Sequence, residues 1–404
     1  MQRHILTAFA SLALVASAAS VRAQELTATP SGEVLVRYRH FEGHDLAPGG
    51  VDDFVRQRAR VGLRFAFGTE VQAFVQLQDV RTWGEETDTL SDFSGDGIDL
   101  HQGFIEAELA PDLRLRLGRQ EVSYLNQRLI GNVGFAEQGR SFDAARLMGV
   151  FLDQTLAVDV LYAHVREDAP AETRIADNLG ALAVRYQMND YFQPAMLLVV
   201  DTHAPTQRAR VTSGLVIQSE MPFGLKASLE GYFQAGTANV EGTEIGLAAW
   251  MFAARLRFTL VDSDFAPFLE AFAETLSGDD DPTDTAAKSF DTLFATNHKF
   301  YGEADFFVNI PVDTANRGLL DAGAVLGTKL GEDATAQLAF HVFQAMAAQG
   351  GPSSFGQELD LTFGWKPNPH LSLDLNYSLF FPGDGLRADG ELEHFVYSTA
   401  SASF

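Results

Sequence analysis

Val55-Arg-Gln-Arg-Ala-Arg-Val-Gly-Leu-Arg-Phe-Ala-Phe67 sorts by parity into two sets of side chains. One set is Val55, Gln57, Ala59, Val61, Leu63, Phe65 and Phe67; the other is Arg56, Arg58, Arg60, Gly62, Arg64 and Ala66. A helix would mix these sets, whereas a strand sends alternate side chains to opposite faces, so the segment reads as a strand with one apolar and one arginine face. The same alternation sets Leu113, Leu115 and Leu117 against Arg114 and Arg116. It also sets Val71, Ala73, Val75 and Leu77 against Gln72, Phe74, Gln76 and Gln78, and Leu371, Leu373, Leu375 and Tyr377 against Ser372, Asp374 and Asn376. A soluble sandwich would alternate too, so the connections have to decide.

Short turns occur at Phe67-Gly-Thr-Glu70, Ala110-Pro-Asp112, Leu152-Asp-Gln154, Met188-Asn-Asp190, Met221-Pro-Phe-Gly224, Asp262-Ser-Asp264, Gly331-Glu-Asp333 and Pro367-Asn-Pro-His370. They alternate with longer polar stretches near 42–53, 82–98, 123–140, 166–177, 201–207, 235–243, 276–317, 346–356 and 382–391. Connections sorted by length mark a transmembrane antiparallel β-barrel, with short periplasmic turns at one end and long extracellular loops at the other. Both chain ends fall on the short-turn side only if the count is about 18 strands. A further strand at 300–310 would break that parity, so 277–317 is assigned whole to one extracellular loop. The fold class is all-β.

The termini agree with export to an outer membrane. Residues 1–23 carry a basic start (Arg3, His4), an apolar run from Ile5 to Val15, and small residues ending Val21-Arg22-Ala23, the three parts of a signal peptide. The barrel is then expected over 24–404. The longest later apolar run, Ile245 to Ala254, is far short of the ~20 residues of a spanning helix. The last segment alternates and ends on Phe404, which suits the signal read by barrel-assembly machinery.

The chain has 404 residues, 54 acidic against 29 basic, a net charge of −25, 32 Phe and no Cys. Disulfide frameworks, thiolate zinc sites and cysteine nucleophiles are thereby excluded. So strong an acidic excess argues against nucleic acid as a partner. In a barrel, near-zero mean hydropathy averages an apolar wall facing lipid and a wet wall facing the lumen, and most Phe are expected at the lipid face.

On this register the wet face carries Arg37, Arg39, Arg56, Arg58, Arg60, Arg64, Arg114 and Arg116. Between Gln24 and Val150 there are 13 Arg and no Lys. Guanidinium groups bind carboxylate or phosphate bidentately and stay charged at any working pH, so such a ladder suits relay of a polyanion. The plainer reading is that these arginines stiffen the wall by pairing with Glu33, Asp79, Glu106 and Glu108. Asp92-x-Ser94-x-Asp96-Gly97 has the opening spacing of a calcium loop, but its twelfth position is Gly103. Asp279, Asp280 and Asp281 form a second weak calcium candidate. No Ser/His/Asp order, HExxH or phosphate-cradling glycine loop is present, so neither a catalytic residue nor an obligatory cofactor is expected.

Leu117-Gly-Arg-Gln-Glu-Val-Ser-Tyr-Leu-Asn-Gln-Arg-Leu-Ile-Gly131 and Gln138-Gly-Arg-Ser-Phe-Asp-Ala144 resemble the alginate export family of outer-membrane barrels. Val75-Gln-Leu-Gln-Asp-Val-Arg-Thr-Trp-Gly84, Thr296-Asn-His-Lys-Phe-Tyr-Gly302 and Tyr377-Ser-Leu-Phe-Phe-Pro-Gly383 extend the resemblance over nearly the whole mature chain. It implies an 18-stranded polyuronate conduit with an Arg-rich constriction, to which Arg119, Arg128, Arg140, Asp143 and Arg146 are carried over by motif. The C-terminal half departs from that pattern in its scarcity of Arg and its Asp-rich loops. The expected protein is an outer-membrane channel of a Gram-negative bacterium. Its partners would be membrane lipid, anionic polysaccharide or small anions, and secretion components in the periplasm. A general or nutrient-uptake porin of the same fold is the alternative, and an outer-membrane enzyme or adhesin a more distant one.

Overall fold

The alternation seen in 55–67 recurs in eighteen long antiparallel strands that close on themselves. They are β1 (Leu26–Glu42), β2 (Val51–Phe67), β3 (Val71–Thr82), β4 (Asp99–Ala110), β5 (Leu113–Gln120), β6 (Phe142–Phe151), β7 (Leu156–Asp168), β8 (Ile175–Tyr186), β9 (Phe192–His203), β10 (Arg208–Glu220), β11 (Leu225–Val240), β12 (Thr243–Thr259), β13 (Phe268–Leu276), β15 (Leu319–Leu330), β16 (Ala334–Gln344), β17 (Ser354–Asn368), β18 (Leu371–Pro382) and β19 (Glu393–Ser403). The two-residue β14 (Ala286–Ala287) adds in parallel to β12 and is not a stave of the barrel. This computed structural model describes residues 26–42, 51–85, 97–168, 175–203, 205–261, 263–387 and 390–404. The signal segment 1–23 and the calcium candidates Asp92 and Asp96 lie outside the described residues.

Each strand pairs with its sequence neighbour, β13 with β15, and β1 closes the ring on β19 from Glu33↔Ser403 to Phe41↔Phe395. Closure leaves no strand edge, the condition for placing a sheet in lipid. The terminal residue takes part: the Phe404 N–H donates to Gly32 O and the Gly32 N–H to Phe404 O, both at 3.0 Å. Parity is as read from the sequence. Val61 and Leu63 are exposed on the outer face while Arg58 and Arg60 are buried on the inner one. All eight short turns fall where expected, and 277–318 connects β13 to β15 with only β14 and a 3-10 turn at Asn297–Lys299 inside it.

The expected loop at 235–243 is instead strand and a two-residue hairpin. Glu241 and Gly242 have φ of +52° and +86°, the left-handed pair that a tight type I′ turn requires. With 16 and 17 residues, β11 and β12 run beyond the roughly 9–11 needed to cross a tilted bilayer span. Strand ends projecting past the lipid need no apolar face, so Gly236, Thr237 and Asn239 pair as strand without alternating.

A second correction concerns the lumen. Loops 121–141 and 277–318 fold into it and pack an apolar core against the inner wall. That core includes Leu129, Ile130, Phe290, Phe300, Phe307, Phe343, Phe355 and Phe380, together with inward-facing Leu161, Leu197 and Met251. These phenylalanines were expected at the lipid face; they face inward because loops, not water, fill the long-loop half of the barrel. Among the described residues, the larger cavities lie toward the short-turn half.

Candidate functional site

Five inward arginines of β1 and β2 meet loop 121–141. Arg37 Nη1 donates to Glu137 Oε1 at 3.0 Å and to the Phe135 carbonyl, with its guanidinium 3.9 Å from the Phe135 ring centre. Arg39 and Arg56 reach the same Glu137 at 3.4 and 3.6 Å. Arg58 donates to Glu33 and to the carbonyls of Ala136 and Glu137 at 3.0 and 3.3 Å. Arg60 donates to Gln78 Oε1 at 2.7 Å and to the Gln138 carbonyl, and pairs with Glu121 at 3.3 Å. Glu121 also contacts His101 and accepts from Asn132. Burial opposes the charge on Glu121, but the His101 and Asn132 hydrogen bonds and Arg60 hold it below the ordinary carboxylate range.

The other flank of the loop is fixed by Arg128. Its Nη2 donates to Glu274 Oε1 at 2.5 Å and its Nη1 to Glu274 Oε2, while the guanidinium lies 3.5 Å from the centre of the Phe300 ring. Glu274 of β13 also accepts from Arg255 Nη2 at 2.7 Å, and Arg255 and Arg257 of β12 share Glu270 at 3.1 and 2.7 Å. Loop 121–141 pairs with loop 277–318 through the Gly131 N–H to Phe294 O and the Phe294 N–H to Leu129 O, both at 2.8 Å. Arg140 donates to the carbonyls of Phe294, Ala295 and Gly131, and burial brings its pKa down to about 10.

His298 joins the two loops from the other direction. Its ring stacks on Phe135 with centroids 3.4 Å apart, and its nitrogens face Asp305 at 2.5 Å and Glu303 at 3.3 Å. Burial disfavours the charged ring, but Asp305 and Glu303 prevail and carry its pKa from 6.5 up to about 9. A raised folded pKa stabilises fully below the unfolded value and is lost as pH rises through the folded one. Loop closure should therefore weaken between pH 6.5 and about 9, by up to about 3 kcal/mol. Gating noise in single-channel records should rise over that interval in the wild type and stay flat in His298→Gln.

Arg37, Arg58, Arg60, Arg128 and Arg140 are thus not free pore-lining groups as expected; they are spent on holding the infolded loops. Arg119 and Asp143 are corrected on other grounds. They are direct register partners on β5 and β6 with outward parity, paired with each other at 3.4 Å on the outer face. The groups left toward the short-turn lumen are Arg64, which donates to Gln72, Arg114 and Arg116, which share the buried Glu106, and Arg146, which pairs with Asp159 at 2.6 Å. Arg255, Arg257 and Lys299 join them and were not singled out from the sequence, although Arg255-Leu-Arg257 repeats the alternation of Leu113 to Leu117. Asp281 is occupied by the Thr283 N–H and hydroxyl, Asp279 accepts from the Asp281 N–H, and Lys288 lies 2.6 Å from Asp280.

Solved structures of similar fold are bacterial barrels. Pseudomonas aeruginosa OccK8 (OprE) aligns with a TM-score of 0.62 and 10% identity over 93% of this chain and 98% of its own. Acinetobacter baumannii OccAB2 gives the same values. Pseudomonas aeruginosa OpdK, solved with vanillate, gives 0.59 and 9% over 93% and 98%. At such identities the likeness is one of fold. No curated protein matches the sequence. The alginate export profile matches residues 31–394, which takes in all but the ends of the barrel, and the chain belongs to the alginate export family.

Proposed function

We propose that this outer-membrane channel passively conducts anionic solutes, with a uronate-type acidic polysaccharide as its main cargo. The observation that carries the reading is the set of five arginines left below the infolded loops, which share the carboxylates Glu106, Glu270 and Glu274, in a chain of net charge −25. Arg64, Arg114 and Arg116 lie on one wall and Arg255 and Arg257 on another, with the Arg114 and Arg257 side chains 55% and 39% exposed. Fixed charge in a narrow lumen sets which ion passes. The family supports the choice of polysaccharide, and the reading requires no covalent chemistry. Assembly would use the final strand ending at Phe404, and secretion components in the periplasm would deliver the cargo.

The test is the reversal potential of the purified barrel in a planar bilayer under a salt gradient. Anion preference is expected, and Arg114→Glu combined with Arg257→Glu should reverse it. Cation preference in the wild type would overturn the reading. A second reading, uptake of small carboxylates, is favoured by the apolar packing of loops in the long-loop half, which narrows the route. Under it, small anions would permeate while oligouronates neither block nor pass.

A further inference from the structure

Glu358-Leu-Asp-Leu-Thr-Phe363 on β17 alternates as the other staves do. Leu361 and Phe363 are exposed on the outer wall, while Glu358 and Asp360 take successive inward positions and are fully buried. Two carboxylates side by side are costly to bury unless something neutralises them. Glu303 of loop 277–318 adds a third acid nearby. The basic group facing the pair is His341 of β16, whose Nδ1 is turned to Asp321 at 3.0 Å and whose Nε2 stands 3.8 Å from Asp360, beyond hydrogen-bond reach. Among the described residues, neither acid is paired with an arginine or a lysine.

Each carboxyl has one oxygen served by a donor. Glu358 Oε1 accepts from the Ala304 N–H at 2.8 Å, and Asp360 Oδ1 accepts from the Ser378 hydroxyl at 2.5 Å. Glu358 Oε2 and Asp360 Oδ2 receive no N–H or hydroxyl from the described residues, yet the two side chains are hydrogen-bonded to each other. Ionised carboxylates are acceptors only, so this bond requires one proton between them. A metal ion could bridge the oxygens instead, but among the described residues no group of three or more His, Asp or Glu side chains is arranged to hold one.

This acid pair sits where loop 277–318 meets the wall. Gly302 has a φ of +84°, and a Cβ there would lie 2.5 Å from Glu358 Oε2 and 2.6 Å from Oε1, so the loop backbone rests directly on the carboxyl group. From β19 the Tyr397 hydroxyl donates to Glu303 Oε2 at 2.9 Å, and Phe306 stacks on Phe380 of β18 with ring centres 3.9 Å apart. Three consecutive staves thus grip residues 302–306. We propose that loop 277–318 is a gate and that Glu358 is the positioning residue that keeps it shut, as a neutral carboxylic acid that accepts from Ala304 and donates to Asp360. Such a clamp works whichever ions the channel prefers.

The experiment compares Glu358→Gln and Glu358→Leu with the wild type as full barrels in a planar bilayer at pH 7. Glutamine keeps an acceptor for the Ala304 N–H and a donor for Asp360, so its fraction of time in the high-conductance state should stay within about twofold of wild type. Leucine supplies neither, and losing a buried hydrogen bond should raise that fraction about tenfold and admit protease at 302–306 from the long-loop side. Tyr397→Phe, which frees Glu303 from β19, should raise it about threefold and serves as the gate variant if Glu358→Leu does not assemble. Infrared spectra should show a carboxylic-acid carbonyl band that shifts in D2O and is missing from Glu358→Gln. Absence of that band from the wild type overturns the neutral acid. Glu358→Gln opening as widely as Glu358→Leu overturns the donor role. Wild-type gating and protease resistance in both Glu358→Leu and Tyr397→Phe, or in Tyr397→Phe alone where the leucine barrel is not obtained, overturn the gate, and none of these outcomes bears on ion preference.

Discussion

Arg128→Met should release loop 121–141 from the barrel wall, at a cost of about 3 kcal/mol in loop docking, and raise single-channel conductance. Arg128 is fully buried, and its two terminal nitrogens satisfy both oxygens of an equally buried Glu274. Methionine preserves apolar bulk against Phe300 but supplies no donor, so Glu274 keeps Arg255 on Oε1 and loses its partner on Oε2. Removing one member of a buried pair costs about 3–5 kcal/mol, and the surviving Arg255 contact places this case at the lower end. Protease added to the long-loop side should then cut within 121–141, and the open-channel current should grow as the loop leaves the lumen. Arg128→Met with Glu274→Gln should recover part of the loss, because the second change removes the stranded charge. If conductance and protease resistance both stay at wild-type values, the packing of Leu129 and Ile130 alone retains the loop.

The strands were legible because lipid imposes a strict rule on one face. Val61, Leu63, Leu115 and Leu117 could be placed from parity alone, and tight turns such as Gly331-Glu-Asp333 bounded the strands without ambiguity. The 235–243 stretch was misread because that rule lapses once a strand projects beyond the bilayer, where alternation ceases while backbone pairing continues. The lumen was harder for a related reason. Parity shows that Arg37, Arg58 and Arg60 point inward, but not what they meet there. Their partners are Glu137, Glu121 and several loop carbonyls, supplied by a segment about 60 to 100 residues away along the chain. Arg119 and Asp143 show the converse. Motif resemblance carried them to the constriction, although the odd-numbered parity that places Leu113, Leu115 and Leu117 outward puts Arg119 outward as well.

Glu137→Gln should make the channel more anion-selective and loosen loop 121–141 at the β1–β2 wall. A single carboxylate faces Arg37, Arg39 and Arg56 at 3.0, 3.4 and 3.6 Å, so removing its charge leaves three guanidiniums with less compensation at the mouth of the lumen. Glutamine keeps the shape and one acceptor oxygen, so the change is chiefly electrostatic. Its docking cost should be about 3 kcal/mol, because Arg37 is itself buried there. Burial disfavours the ionised form of Glu137, but Arg39, Arg37 and Arg56 outweigh it and hold the carboxyl below its ordinary value. A depressed folded pKa contributes stability above the unfolded value, about 4.3 for Glu, which is lost as pH falls through the folded one. Acid should therefore drive the wild-type channel toward the behaviour of Glu137→Gln at neutral pH. The variant should retain only the acid response of Glu121, which is depressed in the same direction and secured by Arg60 and His101. The reversal potential measured from pH 7 down to pH 3 in both proteins separates the two carboxylates. Coincident curves would assign control of the mouth to other charges than Glu137.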